Sequence, residues 1–303
     1  MVLRNTLVPG TAQLALGETA EGIVYLAALP LQLAGLGLVA YQTARVLADA
    51  ELGPFGEAGR TYLIREADPS RSPADQWLFY GGMTLSLYGN LLAAYSQYAA
   101  HRDYVDRYGD PAGLPPVRRG RESLPQLLVA PWLPRNVLSA DVLAALALTT
   151  GASLAGGDFA RVGDYFRRET VPFMGAPVTP LQGLALRLAT SVLLVTANAV
   201  SEEILFRGTV LELSGVSSSA LSFGLAHLPN ALLPGAALED TVLQTVFALG
   251  FGFYAARSTV ANGYRLERMA ALHFWNNILS FTLSYLVDPD SQRELSIGFR
   301  SAL

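Results

Sequence analysis

Uncharged apolar runs separated by short polar segments dominate the chain. Residues 22–44 hold 23 positions without a charge, enough for a helix to cross the ~30 Å hydrocarbon core of a bilayer. Pro30 lies inside this run and predicts a kink. Residues 49–75 turn polar, with Pro54, Pro69 and Pro73, and read as a loop. A second uncharged run covers 76–100, and its Tyr80, Tyr88, Tyr95 and Tyr98 suit interfacial belts. The segment 101–135 is the most arginine-rich, with Arg102, Arg107, Arg118, Arg119, Arg121 and Arg135. Within it 124–133 is apolar but too short to span, and is expected to lie in the membrane interface. Further spans are predicted at 137–155, which carries Asp141, and at 181–206, which opens near Arg187 and closes with Glu202 and Glu203. The last three are predicted at 215–233 with His227, at 238–256, and at 269–287 with His273; 161–180 reads as a polar loop. The predicted fold class is all-α: a polytopic transmembrane helix bundle of about seven spans, six to eight. No internal repeat is visible. The composition change at 101–135 divides the chain into a two-span N-terminal membrane module with its arginine-rich loop, 1–135, and a core, 136–303.

Composition supports the membrane reading. Charged residues are 15 % and AVILMFWYC residues 51 %, with mean hydropathy +0.32, against ~25 % charge in a typical soluble domain. The net charge of −4 gives no basic footprint for nucleic acid. Cysteine is absent and all 21 basic residues are arginine. Thiolate nucleophiles, Cys metal sites, Schiff bases and Ser-Lys dyads are therefore excluded. The histidines are His101, His227 and His273. With the N-terminus inside, eleven arginines fall in cytoplasmic segments and nine outside, and the densest cluster sits in one inner loop. The N-terminus is therefore expected to be cytoplasmic. The first seventeen residues lack an uninterrupted apolar core and a small-residue cleavage site, so no removal is expected.

Ionisable groups inside spans are functional candidates by default. Three short strings concentrate them. In Ser201-Glu202-Glu203-Ile204-Leu205-Phe206-Arg207, Glu203 and Arg207 are i,i+4 neighbours and can pair. Glu202 is rotated by about 100° and is left free to act. In Phe223-Gly224-Leu225-Ala226-His227, the aromatic ring and the imidazole share a helix face. In His273-Phe274-Trp275-Asn276-Asn277, His273 and Asn277 project together and both can donate hydrogen bonds, as an oxyanion hole requires. Each string alone also has a plain reading: a snorkelling helix end, a core histidine bonded to a carbonyl, and interhelical glue.

Together, Glu-Glu-x-x-x-Arg, Phe-x-x-x-His and His-x-x-x-Asn resemble the CPBP family of CAAX proteases and bacteriocin-processing enzymes, also called Abi, over about residues 181–287. The resemblance implies an intramembrane endopeptidase, and hence a hydrolase. It implies Glu202 as general base for water, His227 as the residue positioning that water, and His273 with Asn277 as oxyanion donors. Glu203, Arg207 and Phe223 support the site. No cofactor is the first expectation; the alternative is a divalent metal, zinc, held by Glu202, His227 and His273. The expected partners are the lipid bilayer and a membrane-associated peptide or protein substrate, not nucleic acid. The expected location is a bacterial inner membrane with the site toward the cytoplasm. Two other readings are carried: a non-proteolytic scaffold or immunity protein of the same fold, and a proton-coupled transporter. Separately, Pro9-Gly10, Gln13 and Gly17 loosely resemble the opening of small two-span bacterial membrane modules.

Overall fold

A computed structural model describes residues 2–49, 72–109, 122–155, 159–228 and 238–290. Most of the polar segment 49–75, the centre of the arginine-rich loop and the C-terminal end of the expected 215–233 span lie outside the described residues. The described chain is almost wholly helical. Short helices α1 (Val2–Leu7) and α2 (Thr11–Leu16) precede α3 (Thr19–Leu26) and α4 (Ala28–Asp49). Then come α5 (Pro73–Tyr108), α6 (Leu124–Val129), α7 (Pro134–Val137), α8 (Ala140–Ala155) and α9 (Phe159–Arg167). Helix α10 (Pro180–Glu202) runs through a π-helical segment, Glu203–Val210, into α11 (Leu211–Leu225). The described chain closes with α12 (Leu238–Ala261) and α13 (Glu267–Val287). Among the described residues two helical stretches, Thr19–Gln42 and Pro180–Leu225, are long and apolar enough to cross a membrane.

Sequence details explain several boundaries. The break in the first apolar run falls at Ala27, not at Pro30. Pro30 lies in the first turn of α4, where its missing N–H leaves no hydrogen bond unmade. The second run extends past Ala100 to Tyr108, so the first part of the arginine-rich segment is helix rather than loop. The segment expected to lie in the interface is partly internal, since Leu127 and Ala130 are buried with Tyr95, Tyr98, Ala197 and Val200. The polar stretch 161–180 contains α9 and a two-stranded antiparallel hairpin, β1 (Val171–Phe173) and β2 (Ala176–Val178). Its two-residue turn places Met174 and Gly175 at φ 47° and 73°, the left-handed pair that matches the twist of a tight hairpin.

Helices α4 and α5 approach through small residues. A Cβ on Gly35 would come within 2.5 Å of the Gly82 carbonyl oxygen, and one on Gly82 within 2.8 Å of the Gly35 oxygen. Such contact suits helices packing in lipid, where close backbone approach replaces hydrophobic driving force. Outward positions are apolar: Leu36 on α4, Leu148 on α8 and Val246 on α12 are all more than half exposed. Helix α5 packs on α10, α10 on α13, α13 on α8, and α11 on α12.

Candidate functional site

The site grows from the irregular continuation of α10. The wide turn from Glu203 to Val210 is fastened from the next helix, where buried Ser219 donates to the Phe206 carbonyl at 2.7 Å. Gly215, at φ 80° and ψ 178°, breaks α11 and lets the chain fold back. This return sets Phe223 edge-on to Phe206, with ring centres 5.2 Å apart. Helix α11 then ends at Leu225. The expectation of His227 inside a span from 215 to 233 is therefore corrected: His227 lies in the turn after the helix, because the part that returns after the break at Gly215 ends at Leu225.

Glu203 and Arg207 are wholly buried and form an ion pair at 3.2 Å. The guanidinium carbon lies 4.1 Å from the Phe223 ring centre and 5.6 Å from that of Phe251. These ring faces add favourable cation–π contacts. His273, two turns into α13, donates from Nδ1 to Glu203 Oε1 at 2.9 Å. A carboxylate there fixes ring orientation and tautomer. Its other nitrogen, Nε2, faces Glu202 Oε2 at 3.6 Å. That spacing is too long for a direct hydrogen bond. Glu202 is the more open carboxylate, with its side chain 23 % exposed against 1 % for Glu203.

The other candidates stand around this cluster. Phe223 is the common neighbour of both imidazoles, its ring centre 4.9 Å from that of His227 and 5.8 Å from that of His273. His227 donates from Nδ1 to the Phe223 carbonyl at 2.8 Å, which leaves Nε2 as an acceptor. Asn277 is half-buried one turn beyond His273. The structure thus gathers Glu202, Glu203, Arg207, Phe223 and His273, and sets His227 against the far side of the cluster through Phe223. Among the described residues no three His, Asp or Glu side chains converge closely enough to hold a metal ion. Sequence reading missed Phe251, which stacks against Arg207 and His273, and Ser219. Neither carries a signal in sequence: one is an apolar residue among others, the other one of three consecutive serines.

Fold and site together define an α-helical protein with apolar outward faces and an internal acid–arginine–imidazole cluster. Residues 184–279, about a third of the chain, match the family model described as Type II CAAX prenyl endopeptidase Rce1-like, a model of the CPBP, or CAAX protease, family. The family so described is one of proteases, and so of hydrolases, and the match together with the apolar helices points to a membrane protein. No curated protein and no solved structure matches the chain.

Proposed function

We propose that the protein is an intramembrane endopeptidase of about seven spans. In this reading it hydrolyses peptide bonds by a glutamate-activated water and sits in a bacterial inner membrane with its site toward the cytoplasm. The observation that carries the reading is the contrast between two adjacent carboxylates. Glu203 is consumed by Arg207 and His273. Glu202, with its side chain 23 % exposed, makes no hydrogen bond to His273 Nε2 across 3.6 Å and is left to act on a water. Glu202 takes the proton of that water as it attacks the scissile carbonyl. The reading assigns the positioning of that water to His227, which acts across the Phe223 ring rather than by holding the water directly. Asn277 donates to the developing oxyanion, and His273 does so from Nε2 when its ring carries both protons, a form that the Glu203 carboxylate at Nδ1 favours. Proton transfer from Glu202 to the leaving amine completes hydrolysis. No step passes through a metal.

The substrate in this reading is a membrane-associated peptide or protein, and a scaffold or immunity role is the competing one. The test compares membrane peptides from cells carrying wild-type protein with those from cells carrying Glu202→Gln. Loss of a general base costs ~10²–10⁴ in rate, so peptides present only with the wild type are expected. Identical peptide sets would favour the non-proteolytic role.

A further inference from the structure

The matched family segment ends well short of the N-terminal residues, yet one of those residues reaches the helix that carries His273. Helix α13 begins without a cap of its own, because Leu266 occupies the N-cap position and offers no side-chain acceptor. Leu266 is fully buried, so its backbone N–H needs a protein partner. That partner is Glu122. Its Oε1 accepts the Leu266 N–H at 2.9 Å, while its Oε2 accepts from the Tyr98 hydroxyl at 3.4 Å. Arg265 stands 3.9 Å from Oε1, and the Glu122 carbonyl accepts from the Tyr95 hydroxyl at 3.2 Å. Glu122 is only 4 % exposed.

Tyr98 links this contact to the glutamates. It is buried against Gly208, the residue after Arg207, where a Cβ would come within 2.9 Å of the tyrosine ring. Tyr98 and Glu122 thus form a bracket. One end rests on the segment bearing Glu203 and Arg207, and the other holds the start of α13. His273 lies seven residues beyond Leu266, about 10 Å along the helix at ~1.5 Å per residue. Sliding α13 by one residue's rise would separate His273 from Glu203, which it now meets at 2.9 Å.

We infer that Glu122 is a positioning residue for the proposed hydrolysis, supplied by the N-terminal part of the chain, and that it acts by fixing the start of α13 and hence the place of His273. This rests on the endopeptidase reading above. Two conservative variants of the full-length protein separate reach from charge. E122Q keeps an oxygen at the same reach and loses the charge. E122D keeps the charge and withdraws it by one methylene. Hydrogen exchange over residues 264–272 and the wild-type-dependent membrane peptides are measured for both. E122Q is expected to keep the exchange protection and most of the product. E122D is expected to speed exchange at the start of α13 and to lower product on the order of 10²-fold, the effect of an ångström-scale misplacement. The reverse order, or faster exchange without product loss, overturns the inference. If wild type and Glu202→Gln yield the same peptides, the hydrolytic role fails for Glu122 also, and the exchange data still report whether the bracket exists.

Discussion

Replacing Glu203 by glutamine removes one charge from a pair that has no access to water. Arg207 is fully buried, and its guanidinium nitrogens make no hydrogen bond among the described residues. Its charge is met by Glu203 at 3.2 Å and by the faces of Phe223 and Phe251. Breaking one side of a buried pair costs about 3–5 kcal/mol, because the remaining charge stays desolvated. The aromatic faces do not substitute for it, since a cation–π contact contributes about 0.5–2 kcal/mol and is already present. At ~1.4 kcal/mol per decade the folded-to-unfolded ratio should fall by two to four orders of magnitude. Glu202→Gln, at a partly open carboxylate, should leave folding near wild type and remove activity. The assay is folded yield by size exclusion, with thermal unfolding followed by tryptophan fluorescence in detergent. A double variant, Glu203→Leu with Arg207→Met, removes both charges and should recover yield without activity, as apolar replacement of a buried pair generally does. Wild-type yield and melting for Glu203→Gln, or equal losses for the two glutamine variants, would refute the division of roles.

Three further outcomes are expected. Purified protein should keep its activity in chelator and hold no stoichiometric zinc, because Glu202, His227 and His273 do not converge as ligands; metal at one per chain, needed for turnover, would refute this. Gly82→Leu should lower folded yield by about 1–3 kcal/mol of overpacking against Gly35 and Leu38, while Gly81→Leu, which meets nothing within 4 Å, should not. A cysteine at exposed Ala261, beside the start of α13, should react with an impermeant thiol reagent only in permeabilised cells if the proposed orientation holds; reaction in intact cells would invert it.

Much of the helix content was legible because uncharged runs of spanning length leave few alternatives. The end of the 181–206 run was less so. Glu203 and Arg207 pair as the i,i+4 rule anticipates, but they do so in a π-helical turn. Periodicity carries no mark of that turn, which is stabilised by a serine thirteen residues later. The 215–233 run read as a span because apolar residues continue through it. The structure instead uses Gly215 at positive φ to fold the chain back, a feature that hydropathy ignores. The hairpin at 171–178 escaped notice because its strands are three residues long and contain proline. Of the site, the motif residues were legible and their partners were not: Phe251, Ser219, Tyr98 and Glu122 are recognisable only once distant helices meet.

The length of the returning helix bears on the depth at which His227 sits. After Gly215, α11 continues only to Leu225, ten residues or about 15 Å at ~1.5 Å per residue. That is half of a ~30 Å hydrocarbon core. The turn holding His227 therefore falls at intermediate depth if the helix starts near one membrane surface. Backbone outside a helix is tolerated at such depth only where it is covered by protein or lines a water-filled cavity. Here one carbonyl of the helix end, that of Phe223, is taken by the His227 ring. The same break thus satisfies part of the helix end and presents an imidazole beside the aromatic wall of the Glu203–Arg207 pair. A complete spanning helix in this place would have kept His227 on a helix face. The interrupted helix thus sets His227 against the same Phe223 ring that flanks His273 and Arg207.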